Sequence, residues 1–246
     1  MATRADLPPH LPVAALASIG IRAFITTRAA GSYGIPEQGE DAEAIARWHE
    51  LQRTLAAHGA PRLASAHQVH GTRVLVHRDQ WEGWVRVEGA DAHVLTAGGA
   101  AAITIADCVP VFIAHPSGVV AAAHAGWRGV AAGILGETIR ALGALGLPAE
   151  ELVVHLGPSI CGRCYEVGPD VYEKLTGWPT RHARHVDLRA LLAEQAKTHG
   201  VRKWSASGEC TRCDNDQLYS HRAGDAGRQI AVIIGGVNLD APPAGR

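Results

Sequence analysis

Between residues 100 and 124 the chain carries three apolar runs, AAAITI, VPVFIA and GVVAAA, with almost nothing polar inside them. A strand with one face in water alternates polar and apolar residues; a run without alternation reads as a strand covered on both faces. Such strands commit the chain to a layered core. The residues that interrupt the runs therefore stand out. Asp107 and Cys108 separate the first run from the second, and His124 closes the third. In α/β proteins, strand ends and the loops beyond them are where ligands are held.

The chain supplies enough core for this reading. It has 246 residues, 47% apolar and 19% charged, which fits one large domain, or at most two small ones, and excludes general disorder. We expect an N-terminal extension over 1–20 and one domain over 21–240. A net charge of −1 gives no basic footprint for nucleic acid. No stretch reaches the ~18 apolar residues of a membrane span. Pro8, Pro9 and Pro12 make the N-terminus a poor signal peptide. Five cysteines, an odd number, argue against a full disulfide framework. Together these predict a cytoplasmic protein without a nucleic-acid or membrane partner; the sequence does not give its oligomeric state.

Strands are predicted over 22–28, 72–78, 101–107, 109–114, 118–124, 151–157 and 228–236. Helices are predicted over 41–58, 129–145, 169–175 and 188–199. Strands and helices are interspersed, some strands adjacent and some separated by helices. The fold class expected is α/β, of mixed α+β character: a single domain of mixed β-sheets flanked by helices.

His70 in HQVHG (67–71), Cys108 in ADCVPVF (106–112) and His124 in HAGWRG (124–129) are the candidate metal ligands and catalytic residues. Two imidazoles and a thiolate leave a fourth position open, the arithmetic of a catalytic zinc rather than a structural one. The donor set suits Zn2+, with Cu2+ less favoured. Asp107 and His67 could orient the ligands, and Gln68 could do so or touch substrate. The glycine-rich turn Gly126–Gly129 with Arg128 is a candidate anion site. Arg28 and Arg73 are further candidates for a phosphate or carboxylate, Arg73 being the more readily read as a solvated side chain. Two CxxC pairs, Cys161–Cys164 and Cys210–Cys213, could hold a structural zinc or form a redox disulfide. However, residues 165–209 lie between them, far more than the ~15–20 usual in such sites, so reduced, packed thiols are expected.

HQVHGTRV, ADCVPVF, HAGWRG, GPSICGRCYEVG (157–168) and CTRCDNDQLYSHRAGDAGRQ (210–229) together resemble the YfiH-like family, also called the laccase-domain or polyphenol-oxidase family. The resemblance runs from about Phe24 to Ile234. It implies a single α/β domain whose zinc ligands fall on His70, Cys108 and His124. It also implies purine nucleoside phosphorylase activity on adenosine, inosine and S-methyl-5'-thioadenosine, with adenosine deaminase activity, so that purine nucleoside and phosphate are the expected small-molecule partners. Some bacterial members are linked instead to editing of peptidoglycan precursors. The segment after TTR departs from the family pattern: it is shortened, and Trp48 and His49 stand near the usual Asn-Arg. Since that loop is expected to shape the substrate pocket, substrate choice is the property most affected. A multicopper oxidase is disfavoured because the chain has no H-x-H pair and its one methionine is Met1. The H-x-E plus P-C-x-x-C signature of nucleobase deaminases is also missing, so any deamination would use another scaffold. A cysteine nucleophile at Cys108, paired with His124 or His70, is the metal-free alternative.

Overall fold

A computed structural model describes residues 6–36 and 41–236. Residues 1–5 of the expected N-terminal extension, 37–40 of the shortened loop and 237–240 at the expected domain end lie outside the described residues. The strands fall into two six-stranded mixed sheets. The first runs β1 (His10–Pro12), β2 (Arg22–Thr26), β14 (Gln229–Gly235), β7 (Gly99–Ile105), β3 (Arg62–His67), β5 (Gly83–Glu88). The second runs β13 (Lys203–Ala206), β10 (Val153–Leu156), β8 (Val109–Ala114), β9 (Val120–Ala125), β6 (Ala92–Leu95), β4 (Val74–His77). A small pair, β11 (Glu166–Val167) and β12 (Arg184–His185), stands apart.

The unalternating runs are explained by two covered faces per sheet. Ile25, Ile103, Ile105 and Ile233 of the first sheet pack against Leu95, Phe112 and Val120 of the second. On the outer face of the first sheet, Leu63, Ala102 and Val232 lie under Trp48, Leu51 and Leu55 of α1 (Ala42–Ala57). On the outer face of the second, Val111, Ile113 and Ala121 lie under Ile134 and Leu135 of α3 (Ile134–Gly143) and Leu192 of α5 (Leu188–Thr198). The result is four layers, helix–sheet–sheet–helix. Each fully buried Leu or Ile contributes ~1.5–3 kcal/mol, which is how so uncharged a chain holds its layers.

Several expectations are refined. The residues read as an N-terminal extension are partly woven into the first sheet, since β1 pairs antiparallel with β2. The single helix expected over 129–145 is two, α2 (Trp127–Ala132) and α3, because Gly133 adopts a left-handed conformation (φ 85°) that ends one and starts the next. α4 (Pro169–Thr176) follows the expected helix closely. Strands β1, β3, β5, β6, β11, β12 and β13 were not expected; β3 and β5 carry Arg62 and Arg86, which break the apolar pattern. No helix among the described residues is long and apolar enough to cross a membrane.

Candidate functional site

The turn Ala106–Cys108 carries the chain from β7 in the first sheet to β8 in the second, and Asp107 makes that tight crossing at φ 84°. Cys108 is thus delivered to the seam between the sheets. His124 lies on β9 with the side-chain parity of Val120 and Ala122, which face the same seam. His70 comes from the loop after β3, and it too has a positive φ, 59°. His70 and Asp107 are the two non-glycine residues of the described chain with positive φ. Strain of this kind persists where surrounding contacts over-determine the backbone.

Those contacts are visible. The donor atoms of His70, Cys108 and His124 all lie within 4.8 Å of one another. The two imidazole rings meet edge to face, 4.7 Å between centroids. Asp91, fully buried, accepts hydrogen bonds from the backbone N–H groups of Val69 (3.3 Å), His70 (2.9 Å) and Gly71 (2.7 Å). Its Oδ1 also accepts from His124 Nδ1 at 2.9 Å. One carboxylate therefore holds the His70 loop and fixes the His124 tautomer, leaving Nε2 for a metal. Sequence reasoning missed Asp91. The available signal was an aspartate flanked by alanines in GADAHVL, just ahead of a strand. Gly126 is required here: a Cβ on it would lie 2.9 Å from both Cys108 Sγ and His70 Cδ2.

The electrostatics suit a soft divalent cation. Burial pushes the Cys108 thiol up, but the His124 and His70 imidazoles outweigh it and bring it down to about 6. Burial likewise disfavours protonated His124, but the Cys108 thiolate and Asp91 raise it to about 9. Asp91 is held below the usual carboxylate range: burial opposes this, and the His124 and backbone hydrogen bonds prevail. Each group favours the charged form of its neighbour, His124 the Cys108 thiolate and Cys108 with Asp91 the His124 imidazolium. Two nitrogens and one sulfur, brought together at the floor of a cavity, fit a metal ion bound through three ligands.

The cavity above has a volume of about 520 Å³. His67, Gln68, Asp107 and Arg128 line it beside His70, Cys108 and His124. Asp107 accepts from Thr211 Oγ1 (2.6 Å) and the Arg222 backbone N–H (2.7 Å), so it ties distant loops to the crossover that presents Cys108. Gln68 Nε2 donates to the Thr104 carbonyl, and its Oε1 accepts from the Thr104 N–H (2.7 Å), continuing the β3–β7 pairing with a side chain. His67 Nδ1 meets the Glu88 carboxylate at 3.0 Å. Arg128 lies against the Trp127 ring, 4.5 Å from its centroid, and no hydrogen-bond partner holds its guanidinium among the described residues. Arg28 does not line the cavity: it pairs with Asp225, donates to the Leu218 carbonyl and covers Tyr219 at 4.6 Å. Arg73 donates to the carbonyls of Glu88 and Gly89. Arg86 of β5, unremarked in the sequence, lines the cavity instead. The departing segment after TTR reaches the same space, through Tyr33, Gly34 and Ile35, and so does Trp48. The Trp48 indole N–H donates to the Tyr33 carbonyl at 3.0 Å and its ring stacks on Trp84.

The four CxxC sulfurs, expected to be merely packed, also converge: Cys161, Cys164, Cys210 and Cys213 lie within 4.8 Å of one another. Among the described residues, these and the triad are the groups with a metal-type donor arrangement of His and Cys.

Comparison with known proteins agrees with this architecture. A purine nucleoside phosphorylase of Streptomyces coelicolor is 36% identical over 207 residues, covering 79% of this chain and 84% of its own. The purine nucleoside phosphorylase of Deinococcus radiodurans is 33% identical over 240 residues, covering 92% and 93%. The crystal structure of YfiH from Bacillus licheniformis superimposes with a TM-score of 0.82 at 22% identity, covering 94% of this chain and 97% of that one. YlmD from Geobacillus stearothermophilus gives 0.81 at 25% identity, covering 94% and 98%. The sequence profile described as multi-copper polyphenol oxidoreductase laccase matches residues 29–235, and the chain belongs to that laccase-like, YfiH-type family.

Proposed function

We propose that this protein is a zinc-dependent purine nucleoside phosphorylase, acting on adenosine, inosine and S-methyl-5'-thioadenosine, with adenosine deaminase activity at the same site. The observation that carries the reading is the His70–Cys108–His124 group on the floor of a cavity of about 520 Å³, within the ~300–1,000 Å³ of small-molecule sites. The names of the 33–36% identical relatives supply the substrate class. His70, Cys108 and His124 would hold the ion, which when bound supplies Lewis-acid polarisation and an acidified water.

This chain's own residues do the rest. Asp91 keeps His124 turned toward the ion. Trp127 and Tyr165, both partly exposed, give the cavity aromatic surface on which a purine can stack, with Trp48 and Tyr33 packed behind its lining. Arg128 and Arg86 supply positive charge for phosphate, replacing Arg28, whose charge is already matched by Asp225. The anion site is assigned to these side chains and not to the Gly126–Gly129 turn, whose close approach serves the metal ligands. Copper oxidase chemistry by several ions would need more histidine-bearing groups than the triad found among the described residues. The discriminating experiment is incubation of zinc-loaded protein with adenosine, with and without phosphate, read by mass spectrometry. Adenine and ribose 1-phosphate formed only with phosphate support the reading. No turnover of the three nucleosides in millimolar phosphate overturns it.

A second reading is favoured by one observation, the Asp91–His124–Cys108 chain with its low thiol pKa: a metal-free cysteine hydrolase, as in editing of envelope precursors. Hydrolysis that survives exhaustive chelation would select it.

A further inference from the structure

We infer that Cys161, Cys164, Cys210 and Cys213 form a second, structural zinc site that fixes one wall of the active cavity. The long sequence gap between the two CxxC pairs is closed by the fold. Strands β10 and β13 are parallel neighbours, with Val153 opposite Lys203 and His155 opposite Ser205, an offset of 50 residues. Parallel neighbours end on the same side, so the loops that follow them emerge together. Cys161 and Cys210 are 49 residues apart, as are Cys164 and Cys213, almost the same offset. The pairing even extends beyond the strands, in a parallel bridge between Ser159 and Cys210. Two CxxC turns are thus laid side by side by backbone register.

The geometry suits zinc. Four thiolates around zinc, with Zn–S of about 2.3 Å, stand about 3.8 Å from one another. Here all four sulfurs lie within 4.8 Å, and Cys164 Sγ and Cys213 Sγ are 3.5 Å apart. Backbone N–H groups of Cys161 (3.2 Å) and Cys213 (3.5 Å) donate to Cys210 Sγ, as expected around a sulfur that carries negative charge. A tetrahedral four-sulfur set indicates zinc or iron–sulfur ligation. An iron–sulfur cubane would hold its thiolates on outer corners, farther apart than these. No fourth position is left for water, so the site is closed and structural, unlike the triad.

Its position gives it a task. Ile160 and Tyr165, flanking the first pair, line the active cavity. Thr211, inside the second pair, donates to Asp107 beside Cys108. Arg222, whose backbone N–H also donates to Asp107, lies over Tyr165 at 5.0 Å. A cation binding the four sulfurs joins these loops to one another and, through Asp107, to the crossover that presents Cys108. Binding releases the thiol protons, so occupancy falls in acid.

The test is metal stoichiometry on protein made in zinc-replete medium and purified anaerobically with reductant. Wild type is expected to hold two zinc ions per chain and Cys108→Ala one. The double variant Cys161→Ser/Cys213→Ser is expected to keep the triad's zinc and lose the other. Should that variant fail to fold, cobalt(II) added to metal-depleted Cys108→Ala protein provides the second readout: intense thiolate-to-metal absorption, displaced by zinc. A Cys108→Ala protein that holds no zinc and gives no such absorption overturns the site. So does alkylation mass spectrometry that finds the four cysteines as disulfides under these conditions, or iron in place of zinc.

Discussion

His70, Cys108 and His124 come from three separate segments and meet across the seam of two sheets, whereas the four cysteines come as two short turns from neighbouring loops. The first group needs a buried carboxylate, two residues at positive φ and a glycine without which Cys108 and His70 would be crowded. The second needs little beyond strand register and backbone N–H groups. The difference follows from what each must do. An ion that performs chemistry has to keep one position open, so its three ligands must be held rigidly by the protein itself. An ion that only joins loops is enclosed by four ligands, and the bonds themselves impose the geometry.

The contrast can be broken most severely at Cys108. Cys108→Ala is expected to lower kcat/KM for adenosine by at least ~10³-fold, because the ligands act as a unit. Steady-state kinetics that find full turnover would remove Cys108 from the centre. Asp91→Asn tests whether the triad depends on its carboxylate. A loss of ~10–100-fold in metal affinity is expected from a misoriented His124, measured by competition with a chelator. An Asp91→Asn protein with wild-type affinity would show that the ligands position themselves.

The next effect concerns the cavity rather than the ion. Arg128→Ala should raise the phosphate KM by ~10-fold, equivalent to ~1.4 kcal/mol for a charge-assisted contact. Arg28→Ala should leave that KM unchanged and lower Tm, since its partners are Asp225 and Leu218. The reverse result would return the phosphate to Arg28. The smallest effect is in pH dependence. In metal-depleted protein Cys108 loses its proton as pH rises through about 6. Its alkylation rate should therefore rise only about twofold between pH 6 and 8, where an unperturbed thiol of pKa ~8.5 would rise far more. In the same protein Cys213, whose thiol is pushed up to about 12 by the Cys164 and Cys210 sulfurs, should stay slow throughout. Mass-resolved alkylation would read both.

What the sequence made legible follows the range of the physics involved. The doubly covered strands β7, β8, β9 and β14 announce themselves because burial on both faces leaves contiguous apolar letters. The grouping of His70, Cys108 and His124 was legible because each sits in its own short motif, and the fold brings their donor atoms together. Asp91 was not, since nothing local distinguishes an aspartate that will be buried from one that caps a turn. The pairing of Arg28 with Asp225, 197 residues away, was not legible, because nothing beside an arginine in sequence announces so distant a partner. The cysteine quartet was undervalued because spacing rules assume that a short chain segment closes the site, and here two parallel strands do it instead.

The placement of the triad has a mechanical consequence. His70 hangs from the first sheet, His124 belongs to the second, and Cys108 sits where the chain steps between them. The ligand distances therefore gauge how the two sheets are seated on each other. Any shear of one sheet over the other, such as would follow repacking around Phe112 between them, changes the bite of the site without touching a ligand. The layered core is in this sense part of the coordination chemistry, and its stiffness sets how narrowly the protein can hold an ion to one geometry.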